Sequence, residues 1–414
     1  MATLKEIRDL FKRSVIFPAT KIDYLTFRKL RALKVRDIGY RSWAEWLKHI
    51  TRDVNLEPTL AERVQEGTRQ VLLQTWMHNF ADNMPNVRYG DHAQYLIPQP
   101  YQQTSILDLV EYLPMFEDDP DYNKIKDVRE IGEIQGMKVK NPPKGSAIVV
   151  GRGPSLFKHG HLPMLHEAIE KGEYKGMIIT SDGGLIPCLE NGIVPDVVVS
   201  VDGAPIIKKW FEHPLVKEHG KKIKWIASVT IHHSVYLAGR EAGMTVYWFM
   251  PQFDDWRQIE SWTRLERLLS TTPEYPNGIP AMNSGGNSGS TAWIAAMEIF
   301  KRSPVALIGI DFGYPEGTPL EETHYFNNML QEAKGNVNLI KSAYPVYYHP
   351  TFKQKAYVDF IFNHYRNAFL QMQHETALWY RLYGGTINCT EGGTLFGYRI
   401  KCMKLKEFLE KWKK

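Results

Sequence analysis

Six short runs of apolar and β-branched residues, at 145–150, 176–180, 195–201, 223–229, 245–249 and 304–310, recur between stretches of helical periodicity. Each run is apolar almost without interruption, so neither face of such a strand can be left in water. Helices between successive strands supply the cover, and the pattern dictates a parallel sheet wrapped on both sides. The chain has 414 residues, 43% hydrophobic and 23% charged, which is enough apolar material for two or three cores and too much charge for a membrane bundle. No uninterrupted apolar stretch is long enough to span a bilayer, and the mixed opening Met1-Ala2-Thr3-Leu4-Lys5-Glu6 has no signal-peptide pattern.

The first run ends in Gly151-Arg152-Gly153-Pro154-Ser155-Leu156. A strand that runs into spaced glycines brings bare backbone up to a phosphate. Gly151 and Gly153 can adopt positive φ and leave room for a ligand, Pro154 fixes its own φ, and Ser155 adds a hydroxyl. A third glycine, which a dinucleotide fingerprint would place at Leu156, is absent, so the loop predicts a nucleotide site that is not an NAD site. The expected fold is therefore α/β, a doubly wound, mostly parallel Rossmann-like sheet with a helical N-terminal region and a helical C-terminal extension. Residues 1–104 read as helices ending in a loop rich in Pro, Asn and Gln, and 105–144 as a connecting segment. Residues 145–345 read as the nucleotide-binding domain. Residues 346–414 read as the extension, with a long helix over 353–383 and an amphipathic tail at 405–412.

Other strands finish on small or acidic residues: Thr180-Ser181-Asp182-Gly183-Gly184, Ser200-Val201-Asp202-Gly203 and Gly309-Ile310-Asp311-Phe312-Gly313. In a doubly wound sheet these carboxyl ends share one edge, where ligands bind. A second small-residue loop, Asn283-Ser284-Gly285-Gly286-Asn287-Ser288-Gly289, opens a helix. Ser284, Gly286 and Ser288 offer it hydroxyls and backbone donors for an anion, or simply cap the helix. No Walker lysine is present. His324, a short loop after the Asp311 strand, can reach the cleft as a base, and Tyr314 and Tyr325 can donate to a leaving phosphate. Of the adjacent His232 and His233, at most one faces a site. Asp119-Pro120-Asp121 mimics an Asp-x-Asp metal motif but sits in an acidic loop ahead of the first strand.

Together these motifs, with Gly192-Ile193-Val194-Pro195-Asp196 and the late Asn388-Cys389-Thr390-Glu391-Gly392-Gly393-Thr394, resemble the motility accessory factor family and the 6-hydroxymethylpterin diphosphokinase-like domains grouped with it. The first loop and the Ser288-Gly289 and Gly309–Phe312 segments are also similar to bacterial sialyltransferases that use a CMP donor, with Arg152 where those have Asn. The resemblance implies a nucleotide-dependent transferase, favouring transfer of a nonulosonic (sialic-like) sugar from a CMP donor, with Gly151, Gly153, Ser155 and Ser288 on the nucleotide. Arg152 would clamp phosphate. The alternative is an ATP- and Mg-dependent diphosphokinase, for which Ser200-Val201-Asp202 lacks one carboxylate of the expected pair. A nucleotide-binding module without catalysis is the third possibility.

The nucleotide-contact set is Gly151, Arg152, Gly153, Pro154, Ser155, Ser181, Asp182, Gly183, Asp202, Gly203, Ser284, Gly286 and Ser288, with His324 and Asp311 as catalytic residues. The favoured reaction needs no metal or cofactor; the diphosphokinase alternative needs Mg. Expected partners are a nucleotide or nucleotide-sugar donor and an unidentified acceptor, with no nucleic acid, and the chain is compatible with a homo-oligomer. Three scattered cysteines, 188, 389 and 402, suit a reduced, cytoplasmic setting. Residues 1–50 hold 12 Lys/Arg against 5 Asp/Glu, read as a solvated basic surface.

Overall fold

A computed structural model describes residues 75, 76, 79, 82, 83, 145–252 and 281–413, apart from 375, 377 and 398. The strands are β1 (Ala147–Val150), β2 (Met177–Ser181), β3 (Val197–Ser200), β4 (Lys224–Ser228), β5 (Thr245–Gln252), β6 (Ala281–Asn283), β7 (Val305–Ile308), β8 (Tyr314–Pro315), β9 (Val346–His349), β10 (Gln354–Tyr357), β11 (Thr386–Asn388) and β12 (Ile400–Cys402). The helices are α1 (Ser155–Lys158), α2 (His161–Glu170), α3 (Asp182–Glu190), α4 (Lys208–Phe211), α5 (Pro214–His219), α6 (His233–Glu241), α7 (Ser288–Ile294), α8 (Phe326–Glu332), α9 (Val337–Ser342), α10 (Phe360–His374), α11 (Leu378–Leu382) and α12 (Leu405–Lys411).

Nine strands form one sheet in the order β12-β11-β7-β1-β2-β3-β4-β5-β6, and every pairing is parallel. All six sequence-predicted strands are among them. From β1 the sheet grows in one direction to β6, then the chain returns and lays β7 on the other side of β1, with Val150 opposite Ile308. The gap between β1 and β7 is therefore the topological switch point.

Side chains alternate across the strands, so each strand feeds two cores. Ala147, Val149, Ile179 and Val199 pack with Trp293, Phe300 and Phe369 on one face. Ile148, Val150 and Ile178 pack with Leu162, Leu165 and Phe408 of α2 and α12 on the other. Farther along that second face, Val198 and Trp225 meet Phe211 of α4 and Val235 of α6. Two of the buried indoles find polar partners: Trp225 Nε1 donates to Ser200 Oγ (3.0 Å), and Trp293 Nε1 to Thr386 Oγ1 (3.0 Å).

The C-terminal segment is helical in α10, α11 and α12, but it also contributes strands. β10 occupies the start of the predicted long helix, and β11 and β12 extend the main sheet beyond β7. The α/β unit therefore runs past residue 345. A small antiparallel sheet, β8-β10-β9, joins α8, α9 and the first turns of α10 around Tyr314, Phe326, Met329, Tyr344 and Phe360.

Upstream, Thr75, Trp76, Asn79, Asp82 and Asn83 have helical backbone. The rest of the N-terminal region and the connecting segment, with Asp119 and Asp121, lie outside the described residues. Asn79 and Asn83, one turn apart, are buried. Asn79 Nδ2 donates to the carbonyls of Gly203 (3.0 Å) and Thr230 (2.9 Å), and Asn83 Nδ2 to those of Val229 (3.0 Å) and Ile231 (2.7 Å). Replacing Asn83 with Ala orphans two buried carbonyls, and we expect a loss of about 2 kcal/mol in a denaturant titration. An unchanged midpoint would show that these bonds contribute nothing net.

Candidate active site

The loops after β1, β2, β3 and β7 gather at the carboxyl edge of the sheet, joined by the loop from β6 into α7. Gly151 N donates to Ile308 O (2.8 Å) and Gly153 N to Gly309 O (2.7 Å), so the β1 turn lies directly on the β7 turn. This revises the expected role of the glycines. Neither Gly151 nor Gly153 has positive φ. They are needed for contact: a Cβ on Gly151 would sit 2.2 Å from Gly309 O, and one on Gly153 would sit 1.8 Å from Asp311 Oδ2. Arg152 and Pro154, on the outer side of the turn, are exposed.

Two buried carboxyls flank this turn, each held by a serine. Ser155 Oγ donates to Asp311 Oδ2 at 2.8 Å. On the other side, Ser288 Oγ donates to Asp182 Oδ2 at 3.1 Å while accepting from Val201 N at 3.2 Å, and Gly183 N donates to Asp182 Oδ1 at 2.8 Å. Asp182 is 6% exposed and Asp311 5%. Burial pushes each up to about 7, and for Asp182 the neighbouring charge of Asp202 adds to it. Both carboxyls thus change protonation near neutrality, where a group that gives and takes protons is useful.

The remaining predicted contacts are mostly occupied in shaping the loops. Ser181 caps α3, its Oγ accepting from Gly184 N (3.3 Å). Asp202 is exposed and its Oδ1 accepts from Ala204 N (2.9 Å). Gly203 lies under Trp76 and Asn79. Ser284 Oγ accepts from Gly286 N (3.2 Å), and Gly286 takes φ +80° beneath the Tyr365 ring. Asn287 caps α7 through Ser290 N (2.9 Å), so this loop is in the first place a well-capped helix start. Ser288 alone reaches across to a carboxyl. His232 caps α6, and His233 Nδ1 stands 3.2 Å from Asn83 Oδ1, so both have structural partners.

His324 and Asp311 do not form a pair. His324 is exposed in the β8–α8 segment, its ring against Tyr314 (6.3 Å between centroids) and Phe362 (5.7 Å). The carboxylate that faces this group is Asp359, fully buried. It accepts from Tyr314 Oη at 2.6 Å, and its charge interacts with His324. Burial pushes the Asp359 carboxyl up and the Tyr314 phenol far up. The Tyr325 phenol rises to about 12 through burial, with Asp359 and Asp202 adding to it.

Three features escaped the sequence. Trp210 on α4 lies against Arg152, whose Cζ is 5.4 Å from the indole centroid. Asp359 opens α10 behind an ordinary Val-Asp-Phe run. Glu391, in the Thr-Glu-Gly-Gly segment, has φ +56°, stands 3.4 Å from the buried His161 Nε2, and accepts from Leu405 N (3.2 Å). That segment was legible as a motif but not as a brace: Thr394 N donates to Asp311 O (2.9 Å), and Gly393 packs on the same carbonyl. Among the described residues no cluster of three or more His, Cys, Asp or Glu could hold a metal ion, and no helix is long and apolar enough to cross a membrane.

A wholly parallel sheet with its polar loops gathered at the switch point defines a doubly wound α/β protein with a strand-end crevice. Residues 121–317 match the family described as 6-hydroxymethylpterin diphosphokinase MptE-like. Among solved structures, the motility accessory factor (MAf) glycosyltransferase from Magnetospirillum magneticum AMB-1 is similar at 16% identity and a TM-score of 0.43. The match covers 64% of this chain and 34% of that one. No curated protein matches the chain.

Proposed function

We propose that the chain is a nucleotide-dependent transferase that moves a nonulosonic sugar from a CMP donor to an acceptor hydroxyl. The observation that carries this reading is the β1 turn lying between two buried carboxyls that titrate near pH 7. The exposed Arg152 on the turn is free to meet a phosphate. In the transfer, the bond from the sugar's anomeric carbon to the phosphate oxygen breaks and its electron pair leaves with CMP. The acceptor hydroxyl forms the new bond and its proton goes to His324. Tyr314, tied to Asp359, fixes the His324 segment by accepting from His324 N (3.1 Å). Asp311 is then a group beside the nucleotide turn rather than the partner of the base.

One observation favours a second reading, ATP-dependent diphosphoryl transfer. Asp182 and Asp202, at the ends of adjacent strands, are close enough for the charge of one to raise the other's pKa. Such a repelling pair fits a divalent cation, and in that reading these two residues would hold Mg²⁺, which would neutralise the nucleotide's phosphates.

Titration calorimetry with CMP, CDP, ATP and GTP, with and without Mg²⁺, separates the two. Metal-independent CMP binding supports sugar transfer, and ATP binding that requires Mg²⁺ supports the kinase. In a transfer assay His324→Ala is expected to lower turnover about 100-fold with CMP affinity unchanged. Full turnover in that variant removes His324 as the base.

A further inference from the structure

Two cations from different parts of the chain meet on one indole at the mouth of the crevice. Arg152 Cζ is 5.4 Å and Lys209 Nζ 5.7 Å from the centroid of Trp210. The indole is firmly seated. Its neighbour Phe211 is fully buried with its ring 4.5 Å from that of Trp225, and Ile207 one turn earlier is also buried. The far edge of the indole reaches Gly183 at the start of α3. A Cβ there would meet Arg152 at 3.3 Å and Trp210 at 3.6 Å, so the stack lies directly against the Asp182 turn.

The charges around this indole are unevenly matched. Lys208 is paired with Glu212 at 2.8 Å. Among the described residues, Arg152 and Lys209 have no carboxylate partner. A guanidinium lying on an aromatic face keeps its in-plane N–H groups free, which is the geometry for two parallel bonds to a phosphate.

We propose that Arg152, Lys209 and Trp210 form a subsite for a phosphate ester. The two cations bind the anion, and the indole fixes the guanidinium so that little is lost in ordering it. The inference rests on the nucleotide reading above and adds two residues, Lys209 and Trp210, to the site. Trp210 is a positioning residue, acting through Arg152.

The test measures inorganic pyrophosphate and CMP binding to the full chain by calorimetry, at low and high salt. Wild type is expected to bind both. Arg152→Ala and Trp210→Ala should each weaken pyrophosphate about tenfold, and Lys209→Ala about threefold with a shallower salt dependence. Trp210→Phe should restore affinity to within about threefold of wild type. Arg152 and Lys209 are exposed, so their variants report even where Trp210→Ala fails to fold. Unchanged pyrophosphate affinity in Arg152→Ala and Lys209→Ala overturns the subsite, even while CMP binds normally. Pyrophosphate binding lost as expected in the variants, in a protein that binds no nucleotide, upholds the subsite and removes the nucleotide reading. A wild type that binds neither ligand overturns both.

Discussion

Lowering the pH from 8 to 5.5 is expected to stabilise the fold through Asp182 and Asp311, while His159, His161, His349 and His364, whose pKa values burial lowers, pull the other way. Asp182 and Asp311 are raised from an unfolded value near 4 to about 7 in the fold. Between those values the native state holds more protons than the unfolded chain, so stability falls as pH rises through that window and levels off above it. For the two groups together the change is on the order of 5 kcal/mol, equivalent to roughly 5–10 °C in the unfolding midpoint. Asn at both positions keeps the shape and cannot ionise, although at 182 its single amide oxygen can accept from Ser288 Oγ or from Gly183 N but not from both. The stability of wild type relative to the double variant should therefore fall as pH rises from 5.5 to 8, the histidine contribution being common to both. A difference between wild type and the double variant that stays constant across this range would mean that the carboxyls are solvated or paired, and the claim that the β1 turn lies between groups titrating near neutrality would go with it.

The second large effect is expected at Gly151. An Ala Cβ would lie 2.2 Å from Gly309 O, 2.9 Å from Gly309 C and 2.5 Å from Ile310 Cδ1. The first two are backbone atoms of a central strand's turn, and the contact is reciprocal: Gly309 has φ +64°, and a Cβ on it would meet Gly151 O at 2.8 Å. Relief requires β1 and β7 to part at the switch point, breaking the Gly151–Ile308 and Gly153–Gly309 hydrogen bonds. We expect Gly151→Ala to cost about 4 kcal/mol or more and to yield little folded protein. Gly172→Ala is the control. Gly172 has φ +67° with nothing near its Cβ position, so only backbone strain remains, about 1 kcal/mol. Equal thermal stability of the two variants would show that the close approach at Gly151 is not rigid.

The six predicted strands were legible because parallel strands buried on both faces have to be apolar throughout. β6, β11 and β12 are three residues each, too short to show any period, and β11 follows Gly384-Gly385, which reads as a turn. The strand-end aspartates were visible as Asp-Gly turns, since fold and site share that edge. Their partners were not: nothing local links Ser155 to Asp311, 156 positions away, or Ser288 to Asp182, 106 away. His324 is legible by its chemistry and chain position, but its carboxylate neighbour is set by how β8 and α10 pack, which places Asp359 there. Trp210 gave no signal, because a tryptophan three residues after an isoleucine reads as core.

The placement of β7 beside β1 has a further consequence for biogenesis. As the polypeptide leaves the ribosome, β1 through β5 can zip together in order, while β1 keeps a bare flank until residues 305–308 emerge more than 150 positions later. Closing that flank is a high-contact-order event, slow by nature and exposed to wrong edge pairings while it waits. The crevice comes into being only with that closure, so a nascent or prematurely terminated chain lacks it altogether.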